Sequence, residues 1–245
     1  MPSSKADIIA HLQREILPLQ GFKPALNVQA IDLGLGPIKN AFPNKTFSLG
    51  AIHEFICPHA ESAGATDGFI AGLLSAIMQQ SGACIWVGYS KTLFAPALKI
   101  FGIEPDKIIF IDLKKEKDIL WAMEEALKCD AVAAVIGETA ELNFTASRRL
   151  QLAVEQSRVT GFIIRRYPKN ISTNACIARW CINPLPSSLS DDMPGVGFPK
   201  WNVELLKVRN GKPGNWQVEW SDGKFKHIVT PSVMVSEDIF HRKTG

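Results

Sequence analysis

Blocks of apolar residues recur along the middle of the chain and alternate with segments of helical periodicity. The blocks are AIHEFI at 51–56, ACIWVG at 83–88, KIIFIDL at 107–113, AVAAVIG at 131–137 and GFIIRR at 161–166. Strands that are apolar on both faces are typical of parallel sheets covered by helices. The pattern therefore predicts an α/β fold with a mostly parallel central sheet flanked by helices.

Four helices are expected between these strands, because apolar residues repeat there every three or four positions. They are predicted at about 68–80, 91–101, 118–128 and 144–157. The segment PHAESAGATDG at 58–68 carries proline, serine and glycine, and it is interpreted as the loop between the first strand and the first helix.

The pattern changes after residue 168. IARWCI, KWNVELLKV and WQVEW have the composition of antiparallel strands, with alternating apolar and polar positions in the last two. Asn-Gly and Pro-Gly signals at 210–215 predict a turn, so a C-terminal antiparallel β-hairpin is expected. The Pro-, Gly- and Ser-rich segment 183–199 is interpreted as a surface loop.

Three regions follow from this pattern. Residues 1–46 are predicted to hold an amphipathic helix at 4–17 and most of a linker. The linker is predicted across 21–50 and leads into the core. Residues 47–230 are predicted to form the core with its hairpin, and residues 231–245 a C-terminal tail.

Composition narrows the function classes only slightly. A hydrophobic content of 46% and a charged content of 21% indicate a folded chain, and the net charge of +3 is compatible with a nucleic-acid or acidic partner. The five cysteines are scattered, which favours a reducing compartment and gives no zinc motif. No signal peptide and no run of roughly 20 apolar residues is visible, so a cytoplasmic protein without a membrane span is expected.

The most informative position is the turn from the first strand to the first helix. In open α/β sheets this turn binds anions through backbone N–H groups at the helix start. A working phosphate loop reads G-x-x-x-x-G-K-[ST], and its lysine reaches the β and γ phosphates. This chain reads CPHAESAGATDG there.

Several longer motifs surround that turn. They are SLGAIHEF, LWAMEEALKC, AVIGE, NFTASRRLQLAVEQSRVTGFIIR, ARW and KWNVELLKVRNGKPGNW, in this order along the chain. On these motifs the chain resembles the RecA-like family and, within it, the ImuA-like branch of DNA-damage proteins, from residue 47 to residue 229. TASRRLQLA and W-x-V-E-L-L-x-x-R-N are the most specific of them. The resemblance implies a RecA-like P-loop NTPase fold.

Set against the RecA-like pattern, the phosphate loop is degenerate and about one residue longer. Cys57 stands where the first glycine would be, and Ala65 follows Gly64 where the lysine would be. Thr66 keeps the hydroxyl position.

Two further catalytic positions also depart from the pattern. The strand expected to carry a metal-associated carboxylate ends in Gly137, with Glu138 just beyond. Tyr89, Ser90 and Lys91 occupy the place of the water-activating glutamate. Because phosphoryl transfer depends on positioned charge, the loss of all three groups predicts a protein without catalytic residues, resident metal or cofactor.

Other interpretations remain open at this point. Lys91 reaching the phosphate site, with Glu138 or Asp112 on a metal, would give an unconventional ATPase or a nucleotide-gated switch. Weak nucleotide binding through backbone N–H groups is a further alternative, and a plain DNA-binding module is a third.

The resemblance implies an accessory role in the SOS response, as a scaffold in SOS mutagenesis by translesion synthesis. The implied partners are an ImuB-like Y-family polymerase homologue and an error-prone replicative-type DNA polymerase. RecA and single-stranded DNA are further candidate partners, and no membrane partner is expected.

Basic side chains give candidate contacts with DNA or with a protein partner. The candidates are Arg148, Arg149, Arg165, Arg166, Lys169, Lys207, Arg209 and Lys212. For each of them a solvated charge or a structural ion pair is the alternative. Adjacent helix residues point about 100° apart, so Arg148 and Arg149 cannot both face one partner squarely.

Two other patterns are interpreted as structural. The alternation of Trp201, Trp216 and Trp220 favours core positions over stacking platforms for bases. His53 beside Glu54 resembles a catalytic dyad, but no nucleophile stands at a recognisable spacing, so a satisfied strand pair is favoured.

Overall fold

A single sheet of nine strands organises the computed structural model of the chain, which describes residues 31–79, 82–89, 93–187 and 197–228. The strands are β1 (Ile52–Cys57), β2 (Cys84–Gly88), β3 (Ile108–Asp112), β4 (Ala134–Thr139), β5 (Thr160–Arg166), β6 (Ala178–Leu185), β7 (Lys200–Val208), β8 (Gly214–Ser221) and β9 (Lys224–Ile228). Within these ranges their spatial order is β3-β2-β4-β5-β1-β6-β7-β8-β9.

The sheet has a parallel part and an antiparallel part. Strands β1 to β6 pair in parallel, and β6 to β9 pair antiparallel. The predicted α/β class and the predicted C-terminal hairpin of β7 and β8 are therefore confirmed. The strand at 177–182, predicted to be antiparallel, instead joins the two parts, because β6 is parallel to β1 and antiparallel to β7.

In the described part of the chain, three α-helices cover the sheet: α1 (Ala60–Met78), α2 (Glu116–Leu127) and α3 (Phe144–Ser157). Phe69 and Leu73 of α1 belong to one buried cluster with Phe55 and Trp180 of the sheet. Residues of α2 and α3 form a second cluster around Ile52, Val135 and Ile163. The helices thus lie in two layers on opposite faces, as predicted for βαβ units.

Helix boundaries differ from the predictions at three places. Helix α1 begins eight residues before the predicted start, α2 begins at Glu116, and the helix expected at 91–101 is a 3₁₀ helix, Ala95–Phe101. Helix α3 matches its prediction, and its start is capped by Asn143, whose side-chain oxygen accepts from the Ala146 amide at 2.8 Å.

Residues 31–50, predicted to be part of a linker, pack into the core. Two 3₁₀ helices, Gly36–Ala41 and Pro43–Lys45, form here. Leu33, Leu35, Ile38, Phe42 and Phe47 are all buried. A linker would leave these side chains in water, so the prediction of a linker is wrong for this part of the chain.

His53 and Glu54 point to opposite faces of β1, so they do not form a dyad. The His53 ring stacks on Phe47 with centroids 4.3 Å apart, and its nitrogens are engaged by the Ser48 carbonyl at 2.8 Å and the Trp180 indole N–H at 3.3 Å. Burial lowers the pKa of His53 to about 4. The interpretation of His53 and Glu54 as structural residues of the strand is confirmed.

Some predictions fall outside the described residues. They concern the helix at 4–17, the tail at 231–245, Ser90 and Lys91, and most of the loop at 183–199. Among the helices that the structure does describe, none combines the length and apolarity that crossing a bilayer requires.

Candidate functional site

The connection between β1 and α1 consists of only Pro58 and His59. Helix α1 begins at Ala60, so Gly64, Ala65 and Thr66 lie inside the helix rather than in a loop. The predicted loop at 58–68 is therefore wrong. Because these residues are helical, most of their backbone N–H groups are used within the helix and do not point at a ligand.

Two glycines of α1, Gly68 and Gly72, allow close packing. A Cβ on Gly68 would lie 3.0 Å from the Trp201 ring, and a Cβ on Gly72 would lie 2.5 Å from the Phe225 ring. Glycine within a helix costs about 1 kcal/mol relative to alanine. The close approach of α1 to β7 and β9 explains why glycine is used here despite that cost.

The two polar side chains predicted for this loop are turned inward. Thr66 is fully buried, and the Cys57 thiol donates to its Oγ1 at 3.3 Å. Burial raises the pKa of Cys57 to about 11. The Thr66 hydroxyl is therefore held against a neutral thiol, away from solvent.

Arg166 connects the ends of three elements at the carboxyl edge of the parallel sheet. Its Nη2 donates to both oxygens of Asp67 on α1 at 3.0 Å, and its Nε donates to Oε2 of Glu138 on β4 at 2.8 Å. The Trp86 indole N–H donates to the other Glu138 oxygen at 2.6 Å. We call these four residues the Arg166 cluster.

The Arg166 cluster lies where a nucleotide phosphate would need free donors. Its guanidinium charge is opposed by two carboxylates, and Glu138 is almost wholly buried, since the residue is 2% exposed. Burial raises the pKa of Asp67 to about 6, against the opposing charge of Arg166. The two carboxylates balance the charge of Arg166 within the cluster. The cluster therefore presents no net positive charge to a ligand.

A second ion-pair group lies on the opposite face of the sheet. Arg165 is fully buried and donates to Glu54 at 3.0 Å and to Glu141 at 3.0 Å, while Arg179 donates to the other Glu54 oxygen at 2.6 Å. Arg165 and Arg166 were both predicted as candidate phosphate contacts. The complete burial of Arg165 contradicts that prediction for this residue, because no solvent reaches it. Arg166 uses its Nε and Nη2 in bonds to Glu138 and Asp67.

The positions compared with catalytic carboxylates have other roles. A Cβ on Gly137 would lie 2.5 Å from the Met123 sulfur, so this glycine makes room for α2. Tyr89 is partly exposed at the end of β2, and Asp112 is exposed at the end of β3. Within the described residues, no three side chains of the metal-binding types come together.

A groove of about 530 Å³ follows the exposed side of α1. Its lining is mainly apolar and includes Leu98, Phe101, Phe198 and Trp201. Its charged residues are Asp67, which is held by Arg166, and Lys200, which pairs with Glu219 at 3.3 Å. The groove therefore suits an apolar group better than a polyphosphate.

The other basic candidates are dispersed. Arg149 joins α3 to α2 through Glu124 at 2.7 Å, and Arg148 lies 3.5 Å from Glu155. Lys207 and Arg209 donate to the Asn174 and Ala175 carbonyls, both at 3.1 Å. Burial, aided by the charge of Arg179, lowers the pKa of Lys207. Lys169 and Lys212 are exposed.

Asp67 and Trp86 belong to the Arg166 cluster but were not among the residues predicted from the sequence. Asp67 had a usable signal, because it is an acidic residue inside an apolar helical stripe. Trp86 had no such signal in the sequence, because an apolar strand accommodates tryptophan without a polar partner. Trp201 and Trp220 are buried and Trp216 is partly buried, which confirms their interpretation as core residues.

Comparison with known proteins places the chain in a family. No family model matches it. Protein ImuA from two strains of Caulobacter vibrioides is 33% identical to it over 198 residues, which are 76% of this chain and 81% of each relative. Identity at this level over most of both chains requires a shared fold and shared ancestry, and the resemblance read from the motifs agrees with it. The chain belongs to the ImuA family.

Proposed function

We propose that this protein is a non-catalytic RecA-like accessory factor that acts as a scaffold in damage-induced mutagenesis. It would work in the cytoplasm during error-prone translesion DNA synthesis. The observation that carries the proposal is the Arg166 cluster, because a cation at the nucleotide position is already neutralised by Asp67 and Glu138.

The energetics of ligand entry support the absence of ATPase activity. A triphosphate at the β1–α1 connection would have to draw Arg166 away from two largely buried carboxylates. Breaking such a pair costs on the order of 3 kcal/mol, and the phosphates would then face the released negative charges. The missing lysine at Ala65 leaves no compensating donor in the same turn.

The strand arrangement supports the RecA-like assignment. Six parallel strands place β1 between β5 and β6, and the first strand-to-helix connection follows β1 directly. The ordered motifs of the family run through these same elements. In this ImuA family member, internal ion pairs fill the position at which a nucleotide would bind. Such a protein is best explained as one that acts through its surfaces.

The proposed partners are an ImuB-like Y-family polymerase homologue and an error-prone replicative-type polymerase, with RecA and single-stranded DNA as further candidates. Exposed basic residues Arg148, Lys169 and Lys212 offer contacts to acidic protein surfaces or to phosphate. Lys207 on β7 and Arg209 just after it are a second pair of candidates, although each also donates to a backbone carbonyl.

The first test is ATP binding and turnover by the purified protein with magnesium, with and without single-stranded DNA. We expect neither binding nor turnover. Arg166→Gln serves as a probe of the cluster, and Arg148→Gln, an exposed arginine on α3, is its matched control. Turnover by the unmodified chain that disappears in Glu138→Gln would overturn the proposal.

The second test is capture of partners. The ImuB-like protein and RecA of the same organism are applied separately to the immobilised full chain. Retention of at least one of them, together with restored damage-induced mutagenesis in a strain lacking its own ImuA, is the expected result. Retention of neither would count decisively against a scaffold role.

A nucleotide-gated switch is the second candidate, and the groove along α1 favours it. Its apolar lining could accept a nucleobase while the phosphates remained in solvent. This alternative predicts saturable binding of adenosine that is weakened by Phe198→Ser, without any contribution from magnesium.

A further inference from the structure

The groove along α1 is an apolar surface that the described residues leave open. Phe101 of the 3₁₀ helix and Trp201 of β7 line it. Phe198 also lines it and is 47% exposed. Phe94 and Ile100 adjoin lining residues along the chain and are 70% and 66% exposed. An apolar surface with several exposed large side chains indicates a binding site.

The same chain carries a second apolar surface, on the amphipathic helix predicted at 4–17. Side chains spaced by one, four and eight residues lie on one face of such a helix, and here they are Ile8, Ile9, Leu12 and Ile16. A helix with one apolar face gains most of its stability when that face packs against another apolar surface. Binding of such a helix in an apolar groove is a common mode of recognition.

The chain passes close to the groove at residue 34. A Cβ on Gly34 would lie 3.9 Å from the backbone nitrogen of Phe225. The Phe225 ring packs edge-on against the ring of Trp201, with centroids 6.1 Å apart, and Trp201 lines the groove. Residues 18–30 separate the predicted helix from this part of the chain, and in extended form they span about 43 Å. The helix can therefore reach the groove of its own chain.

We propose that the groove along α1 binds the amphipathic helix at 4–17 of the same chain. The apolar face of the helix packs on Phe101, Phe198 and Trp201, while Arg14 on the far side of the helix stays in solvent. A short connection gives the helix an effective concentration on the order of millimolar, which favours its own groove over that of a second copy. Such docking is independent of the role in mutagenesis, and it closes the groove to a nucleobase.

Photocrosslinking of the full chain tests which surface the helix contacts. A photoreactive benzophenone amino acid at position 12 should be joined to Phe101, Phe198 or Trp201 within one chain. The same amino acid at position 14, roughly 200° around the helix, is the control and should not reach the groove. A product of twice the chain mass would show that a second copy fills the groove, and the proposal would be wrong. A product that maps elsewhere, or no product at all, would contradict it equally.

Trypsin cleavage after Arg14 measures how often the helix leaves the groove, because a docked helix is cut only when it opens. Ile9→Asp on the helix and Phe198→Asp in the groove each place a charge in the apolar contact. Each should speed this cleavage by at least about tenfold. The matched controls should leave the rate unchanged, and they are Ala10→Asp, on the far side of the helix, and Leu152→Asp, at an exposed position of α3.

Thermal unfolding of each variant establishes that the core is intact, so that faster cleavage reports undocking and not loss of the fold. Equal cleavage rates in the unmodified chain and in both contact variants would overturn the inference. So would acceleration by the control variants to the same extent.

Discussion

The Nη2 nitrogen of Arg166 lies 3.0 Å from both carboxylate oxygens of Asp67, across 99 residues of sequence. This pair joins the end of β5 to the eighth residue of α1, at the carboxyl edge of the parallel sheet, where open α/β proteins commonly bind ligands. Glu138 completes the neutralisation from β4. The charge of Arg166 is therefore balanced within the protein.

Arg166→Ala is expected to lower the free energy of unfolding by about 3 kcal/mol, because it leaves Asp67 and Glu138 without their counter-charge in a largely buried position. Urea denaturation at neutral pH measures the change. Arg148→Ala, at an exposed and longer pair, should change it by less than about 0.5 kcal/mol. Equal effects of the two substitutions would contradict the structural role of the cluster.

Asp67 is expected to make stability depend on pH between about 4 and 6. Its folded-state pKa, about 6, exceeds the ordinary value of 3.8, so the folded chain binds this proton more tightly than the unfolded chain does. This contribution is complete below about pH 4 and is lost as the pH rises through 6. The unfolding free energy of the wild type minus that of Asp67→Asn should therefore decrease over this window. A difference that stays constant with pH would refute the assignment.

His53 is expected to act in the opposite direction. Because burial lowers its folded-state pKa from 6.5 to about 4, its contribution to stability is complete above pH 6.5 and is lost as the pH falls toward 4. The carbon-bound ring proton of His53 in an NMR titration should keep the shift of a neutral imidazole at pH 5. His53→Gln assigns the signal. A midpoint near 6.5 for that signal would show that the ring is not buried as described.

Gly64 and Gly72 provide a test of whether α1 is helical through the predicted phosphate loop. Gly64→Ala meets no atom within 4 Å and should raise the free energy of unfolding by about 0.5–1 kcal/mol. Gly72→Ala would drive a methyl group into the Phe225 ring and should lower it by about 1–3 kcal/mol. Destabilisation by Gly64→Ala would instead indicate a loop conformation that requires glycine.

The sequence predicts the inner strands of the parallel part well because they are buried on both faces. All six residues of β1 and of β4 are buried, and each strand is visible as a mainly apolar segment. The start of α1 could not be predicted in the same way. Gly64 and Gly68 resemble loop residues until the Trp201 ring that requires Gly68 is known to lie 3.0 Å from its Cβ position.

Arg166 and Glu138 were both named from the sequence, but their contacts could not be. Adjacent arginines at the end of a strand necessarily point to opposite faces, and that rule alone separates Arg165 from Arg166. Their partners are not readable, since Glu54 lies 111 residues and Asp67 lies 99 residues away along the chain. Only the fold brings these charges together.

The packing of residues 33–47 against the core has a practical consequence for mapping contacts by deletion. A chain cut at residue 46 would lose Leu33, Leu35, Ile38 and Phe42, all of them buried. Their removal would expose the buried aromatic ring of Trp180, against which Phe42 packs. Serial N-terminal deletions that pass residue 33 would consequently disrupt the core, so point substitutions on the surface are the sound way to test the proposed interfaces.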